Sequence, residues 1–215
     1  RVLFRSADFA EWLKTKRDES VFQGLKPDTF IACEAIKRAW RAAHPAITKL
    51  WADTEAACKV MVEPIPPEGR APIKVGRIWI GTRAKVYGCA LLPSGRCVVY
   101  PQISKPRPGV RATFTYRGMN QYTRGWSELR SYAGKVVENL TQSVARDILA
   151  HGMKLAWERG YKIVLSVHDE LITETPDTGD YTEAGLAACM TENPEWAQGL
   201  PLSAAGFEAA RYRKD

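Results

Sequence analysis

Apolar residues recur at helical spacing in three parts of the chain. The stretch from Asp8 to about Lys16 predicts a short helix with Asp8 as its N-cap. The stretch "PDTFIACEAIKRAWRAAHPAITKLWADTEAACKVMV" predicts two helices that are broken at Pro45, because proline lacks the amide hydrogen that a helix interior needs. A longer helix is predicted from about Ser131 to Arg159, and Gly160 follows it in the position that ends many helices.

The segments between and after these helices have the pattern of short strands. Three strand-like runs, "KVGRIWIG", "KVYGCALLP" and "RCVVYPQ", follow a proline-rich loop, and Pro93-Ser94-Gly95 predicts a turn between the last two. Residues 116–130 are polar and aromatic and give no clear assignment. The run Ile163–Val167 predicts a strand, and it is apolar on both faces, which indicates a covered sheet. The tail from Thr191 onwards is too rich in proline and glycine for long elements.

These elements predict an α+β protein, in which a small antiparallel sheet packs on long helices. The chain has 215 residues, and its hydrophobic content of 45% fits a folded globular protein. No apolar run is long enough to cross a bilayer and the start lacks a secretory signal, so we expect a soluble protein.

Charge and cysteine content narrow the classes of partner and site. The net charge of +7 favours a polyanionic partner such as nucleic acid, although many basic proteins bind nothing acidic. The five cysteines are odd in number and form no C-x-x-C pair, which indicates reduced packing thiols and no zinc site. The seven tryptophans are scattered, and this pattern favours core anchors over a base-stacking platform.

Three ionisable residues, His168, Asp169 and Glu170, interrupt the apolar pattern at the end of the predicted strand. A carboxylate on a strand tip is exposed while its backbone is held, and this suits a divalent metal. Phosphoryl transfer uses two Mg²⁺ ions roughly 3.5–4 Å apart, so carboxylates are the residues that it needs. On this interpretation Asp169 is a metal ligand, Glu170 supports the site and His168 points to a phosphate or sugar. A polar hairpin turn without any catalytic role would also account for these three residues.

One face of the long predicted helix carries Asn139, Gln142 and Arg146 at spacings of three and four. Amide side chains can donate to the minor-groove acceptors that every base pair displays, and an arginine can meet a phosphate. We assign Lys135 to the same DNA-binding set. A solvated helix surface accounts for this periodicity equally well.

The segment "LSVHDELI" resembles motif C of the family A DNA polymerases, the group of bacterial DNA polymerase I and many phage replicases. The segment "VENLTQSVARDIL" is similar to the helix upstream of motif C in that family, where a glutamine that corresponds to Gln142 contacts the primer–template duplex. Softer similarity to the phage-type branch extends over nearly the whole chain from Asp8, in "RAAHPAITKLW", "YGCALLPSGRCVVYP", "LRSYAGKVVENLTQ" and "PEWAQGLPLSAAGF".

The resemblance implies a DNA-directed DNA polymerase that acts on primer–template DNA and deoxynucleoside triphosphates in the cytoplasm of a bacterial host. It divides the chain into a helical segment at 8–60, a strand and loop insertion at 61–130 and a palm at 131–215. It also implies a site with two Mg²⁺ ions, at which Asp169 supplies one carboxylate and a family motif named A supplies another.

The chain also departs from the family pattern, because some of the family's motifs are absent or differently placed. Motif A should lie before motif C, and the fingers helix named motif B has no match in the chain. Asp180-Tyr181-Thr182 imitates motif A, but it lies after motif C and follows no strand-like run. Asn139 lies three positions before Gln142, whereas the family spacing is four. "RVLFRS" at the start has the look of a translated sequencing adapter. We therefore expect part of a longer polymerase, inactive alone because it lacks the other half.

Two other classes of function remain open at the level of sequence. A non-catalytic module for double-stranded DNA would use the basic charge and the Gln142 helix face without needing Asp169. A metal-dependent hydrolase would need ligands beyond His168 and Asp169, and His44 and His151 have the pattern of surface or packing residues. Basic residues in two loops could approach nucleic acid or be solvated: Arg96, Lys105, Arg107 and Arg111.

Overall fold

The computed structural model describes residues 27–84 and 86–211, and it describes side chains from residue 31 onwards. The helix predicted at residues 8–16 lies outside these ranges. The chain divides into two compact units, the first ending at Leu50 and the second beginning at Trp51. Helices α1 (Pro27–Ala43) and α2 (Pro45–Met61) are separated by a single residue, so the predicted break at Pro45 is confirmed.

A four-stranded antiparallel sheet follows α2, with its strands in sequence order. Its strands are β1 (Ile73–Val75), β2 (Ile78–Arg83), β3 (Tyr87–Leu91) and β4 (Cys97–Tyr100). The run "KVGRIWIG" is therefore two strands, because Gly76 with φ of +61° turns the chain between them. The predicted turn at Pro93–Gly95 joins β3 to β4.

The unassigned stretch forms a second hairpin, of β5 (Phe114–Met119) and β6 (Trp126–Ser131). Sequence analysis missed these strands because their polar and apolar positions do not alternate cleanly. Phe114 and Thr115 are both buried although they are adjacent, and Trp126 is 59% exposed. Burial does alternate along β6, but the less exposed face carries Ser127 and Ser131 and the exposed face carries Trp126, so burial does not follow polarity.

The long predicted helix is α3 (Ala133–Glu158), and Gly160 follows it with φ of +88°, as predicted for its C-terminal end. Its buried positions are Ala133, Val136, Leu140, Leu149, Gly152 and Ala156. Gly152 and Ala156 lie where α3 packs on a second helix, α4 (Glu183–Thr191), which sequence analysis did not predict. The Thr182 hydroxyl caps α4 by accepting from the Gly185 amide at 3.1 Å.

Between these two helices lies a third antiparallel pair, β7 (Ile163–Val167) and β8 (Glu170–Thr173). Both strands were predicted, but the inference that β7 is covered on both faces was wrong. Val164 is 49% and Leu165 50% exposed, because β8 is the only strand that pairs with β7 in the described part of the chain. The tail holds only a short 3₁₀ turn at Glu195–Ala197 within the described residues, as its composition predicted.

These elements confirm the α+β class, with three small antiparallel sheets and four α-helices in the described ranges. The buried residues of the second unit include Cys58 of α2, Ile80 of β2, Phe114 of β5 and Val136 of α3. Within residues 27–84 and 86–211, no helix has both the length and the apolar character needed to cross a bilayer.

Candidate catalytic and nucleic-acid site

A two-residue turn joins β7 to β8 and carries the ionisable residues. Val167 pairs with Glu170, so His168 and Asp169 are the two residues of the turn. His168 has φ of +53°, a left-handed conformation that glycine adopts most easily. The side chains of His168, Asp169 and Glu170 are all exposed. The turn thus presents a carboxylate to solvent on a backbone held by strand pairing.

The hairpin below this turn rests on a small apolar cluster. Ala156 of α3, Tyr161 and Cys189 of α4 are buried together, and Ile163 and Leu171 of the two strands pack against them. The Tyr161 hydroxyl also donates to the Thr182 carbonyl at 3.0 Å. Packing on two helices therefore positions the base of the hairpin, while its tip stays open.

The predicted DNA face of α3 is exposed at Lys135, Asn139, Gln142 and Arg146. The structure connects this face to the hairpin, because Arg146 Nη1 donates to Ser166 Oγ in β7 at 3.4 Å. Ser166 lies three residues before Asp169. The candidate duplex contacts and the candidate metal ligand are therefore parts of one arrangement, built by α3 and β7.

Asn139 has a partner that sequence analysis missed. Its Nδ2 donates to the Tyr100 hydroxyl at 3.3 Å, and Tyr100 packs edge-on against Phe114 and Tyr116. Burial raises the pKa of Tyr100 to about 12, against the smaller lowering effect of the Asn139 hydrogen bond, so the phenol stays protonated at neutral pH. No local signal could have identified this contact, because the two residues are 39 positions apart.

Arg96 holds the β3–β4 turn against α3. Its Nε donates to Asp147 Oδ1 at 2.6 Å and its Nη2 donates to the Ser143 carbonyl at 2.7 Å. The Ser94 hydroxyl donates to the other oxygen of Asp147, also at 2.6 Å. Arg96 therefore has a structural role at this turn, because its guanidinium serves two acceptors on α3, and its approach to nucleic acid stays a prediction.

Other residues considered as candidates from the sequence make contacts that stabilise the fold. His44 stacks on Trp40 with 4.4 Å between ring centroids, and Lys105 pairs with Glu63 at 2.6 Å. The Asp180–Thr182 segment lies on no strand, and Thr182 caps α4. Across residues 27–84 and 86–211, no group of three or more His, Cys, Asp or Glu side chains could hold a metal ion.

Most tryptophans are not core anchors, contrary to the interpretation of the sequence. Four of them have exposures of 40% or more: Trp40, Trp79, Trp126 and Trp157. Trp79 and Trp126 lie on the more exposed faces of β2 and β6, so their large rings meet solvent. Sequence spacing alone does not tell which side a neighbouring element covers.

Comparison with known proteins identifies one class of relative. The chain is 36% identical over 182 residues to a protein named DNA polymerase from Bacillus phage SP02, and the match covers 83% of the chain. The chain spans about a quarter, 27%, of the length of that phage protein. No family model matches the chain, and no solved structure matches it.

Proposed function

We propose that this chain is part of a DNA-directed DNA polymerase of family A, which adds deoxynucleotides to the 3′ end of a primer on a template. The observation that carries the proposal is the 36% identity to the phage DNA polymerase. The family assignment rests on the resemblance of the β7–β8 hairpin to motif C and of α3 to the helix that precedes it. The whole protein would act on primer–template DNA and deoxynucleoside triphosphates.

In this proposal Asp169 binds divalent metal at the turn. Its carboxylate is exposed on a short turn, and Glu170 places a second one beside it, so oxygen donors of the kind that Mg²⁺ prefers are present. The metal ions, when bound, would stabilise the charge on the triphosphate. His168 would approach a phosphate or sugar, and its left-handed backbone is a strain of the kind that occurs at functional turns.

The exposed face of α3 would bind the duplex next to this turn. Gln142 and Asn139 would donate to minor-groove acceptors without reading sequence, and Lys135 and Arg146 would meet phosphates. The Arg146–Ser166 hydrogen bond supports this division of roles, because it holds a phosphate-binding side chain against the strand that leads to Asp169. Asn139 is held by Tyr100 and needs little reorganisation to donate its remaining hydrogen.

A second carboxylate, from outside the described residues, would complete the metal site. The half-exposed Val164 and Leu165 support this part of the proposal, because an additional palm strand could cover them. Without this second carboxylate, Asp169 alone would hold the metal ions with too few ligands. We therefore expect no templated nucleotide incorporation by the purified 215-residue chain, and incorporation by that chain would contradict this part of the proposal.

The test of the site is the substitution Asp169→Ala in the product of the complete reading frame that encodes this chain. Primer extension should fall by at least about 100-fold, since one preorganised electrostatic contact is often worth that much. Affinity for primer–template duplex should stay within a few-fold of the parent. Asp177→Ala is the matched control, because Asp177 is also an exposed carboxylate after β8. Undiminished extension by the Asp169 variant would refute the assignment.

The same experiment separates the proposal from a non-catalytic duplex-binding module. Such a module would bind duplex DNA in a salt-dependent way, and no form of the complete product would extend a primer. Its DNA affinity would also be the same with and without Asp169. Extension that depends on Asp169 is expected only of the polymerase.

A further inference from the structure

The β5–β6 hairpin ends in a well-defined tip, residues 119–126, which is not part of the candidate site described above. Met119 pairs with Trp126 at the last position of the ladder. The loop beyond is closed by bonds from the Asn120 amide to the Gly125 carbonyl at 2.9 Å and from the Arg124 amide to the Asn120 carbonyl at 2.8 Å. The Asn120 side chain also accepts from the Tyr122 amide at 2.9 Å. The loop backbone is thus held by its own hydrogen bonds.

This hairpin tip presents three large side chains to solvent. Tyr122 is 96% exposed, Met119 64% and Trp126 59%. One exposed apolar residue is ordinary on a protein surface, but three on a single ordered tip are typical of a contact surface. Two of them are aromatic rings whose faces are available for stacking.

Positive charge surrounds these rings. Residues 114–131 contain Arg117, Arg124 and Arg130 against one acid, Glu128, which gives a net charge of +2. Residues directly opposite in the ladder share a face, and Arg117 and Arg130 are therefore on the face of Met119 and Trp126. None of the three arginines forms an ion pair with another described residue. Glu128 lies on the same face, directly opposite Arg117, and offsets its charge, which leaves Arg124 and Arg130 available to an anionic partner.

The hairpin is physically continuous with the candidate DNA face. One residue, Tyr132, separates β6 from α3. At the base of the hairpin, Phe114 and Tyr116 pack on Tyr100, which receives the Asn139 hydrogen bond. The base of the hairpin and the candidate DNA face therefore share packed residues.

We propose that the hairpin tip binds single-stranded nucleic acid, with bases stacked on Tyr122 and Trp126 and phosphates near Arg124. Aromatic rings alternating with arginines match a chain of alternating bases and phosphates. A single strand fits better than a duplex, because the base faces of a duplex are already stacked on one another. The inference rests on the proposed polymerase function, in which the unpaired strand is the template beyond the duplex.

The proposal predicts that removing both rings weakens binding of a single strand. In fluorescence anisotropy with labelled oligothymidylate and no divalent metal, the purified chain carrying Tyr122→Ala and Trp126→Ala should bind at least about 30-fold more weakly than the parent, because the stacking of two bases is lost. A variant with phenylalanine at both positions should stay within about threefold, because it keeps both rings. Trp157→Ala is the matched control, since it removes a 71% exposed ring from α3.

Salt dependence separates stacking from charge. Arg124→Gln should lower the slope of log affinity against log salt by about 0.7, the value for one phosphate contact to a single strand. The double alanine variant should keep the parent slope while losing affinity. Circular dichroism and thermal melting of each variant show whether the fold is retained, and the tip is exposed enough that it should be.

Three outcomes would overturn the proposal. They are no measurable binding of oligothymidylate by the parent chain, equal binding by the parent and the folded double alanine variant, and an equal loss in the Trp157 control. If the tip binds protein instead, sedimentation velocity should show that the double variant changes self-association while oligothymidylate affinity is unchanged. Asp169→Ala should leave this affinity unaltered, so a failure here is distinct from a failure of the polymerase assignment.

Discussion

At the scale of single residues, Glu55 shows how one carboxylate positions the helix that carries the candidate DNA face. Its Oε2 accepts from the Thr113 hydroxyl at 2.7 Å and from the Ala133 amide, the first of α3, at 3.3 Å. Lys59 lies 3.3 Å from its other oxygen. Burial alone would raise the pKa of Glu55, but these contacts outweigh it and hold the pKa below its ordinary value of 4.5.

This lowered pKa predicts how stability depends on pH. Because the folded pKa lies below the unfolded one, the contribution of Glu55 is complete above about pH 4.5 and is lost as pH falls through the lowered pKa. Glu55→Gln should therefore lower the free energy of unfolding at pH 7 by about 1 kcal/mol, a modest value because the carboxylate is partly exposed. The difference from the parent should shrink below pH 4.

Urea unfolding at several pH values measures this effect. Glu68→Gln is the control, because Glu68 is exposed and should change stability little at any pH. If the free energy of unfolding of Glu55→Gln differed from that of the parent by the same amount at every pH, the ion-pair and capping role would be contradicted.

At the scale of elements, the α3–α4 contact supports the β7–β8 hairpin. Gly152 of α3 approaches the backbone of α4 so closely that a Cβ there would lie 3.0 Å from the Met190 Cα and 3.3 Å from the Cys189 carbonyl oxygen. The same two helices contribute Ala156 and Cys189 to the cluster under β7 and β8. Separation of the helices should therefore disturb the hairpin base as well.

Gly152→Val tests this packing. The added atoms meet backbone, which cannot rotate away, and we expect the free energy of unfolding to fall by about 1–3 kcal/mol. Ala150→Val is the matched control on the exposed side of the same helix and should cost only the difference in helix propensity, about 0.5 kcal/mol. Equal losses in the two variants, measured by urea unfolding, would show that the close approach is unimportant.

Some helices and strands could be predicted from the sequence, and others could not. The helices around Pro45 and the helix that ends at Gly160 were predicted because proline and glycine act locally. The β5–β6 hairpin and α4 were missed. α4 has the sequence "EAGLAACMT", in which small and apolar residues show little periodicity, and only its packing on α3 selects the helix.

At the scale of the whole molecule, the positions of the basic residues decide which part of the net charge of +7 is available to bind phosphate. Lys135 and Arg146 are exposed on α3 beside Gln142. Other basic residues are engaged elsewhere, as Arg96 is with Asp147 and Arg159 with Glu192. Phosphate binding by α3 should therefore depend on a small number of identifiable charges.

This distribution predicts the salt dependence of duplex binding. Lys135→Gln and Arg146→Gln should each lower the slope of log affinity against log salt by about 0.9, because each removes one phosphate contact. Gln142→Ala should weaken binding while it leaves the slope unchanged, since an amide releases no counterion. Lys154→Gln is the control, because Lys154 lies elsewhere on α3 and pairs with Glu158.

Fluorescence anisotropy with a blunt duplex at several salt concentrations provides these slopes. If the slope changed equally in the Lys154 control and in the two test variants, DNA binding would not depend on particular basic residues of α3. That result would remove the α3 face from the proposed interface.

The sequence by itself determined the features that depend on neighbouring residues: helix ends, turns, the α+β class and the cluster of ionisable residues at 168–170. Tertiary structure decided which surfaces are covered and which distant side chains meet. Arg96 and Asp147, or Tyr100 and Asn139, come together only because the β3–β4 turn and β4 pack on α3. Similarly, the exposure of Val164 and Trp126 depends on which face of each strand another element covers. Local backbone preferences act over a few residues, whereas burial and long-range hydrogen bonds are properties of the packed chain.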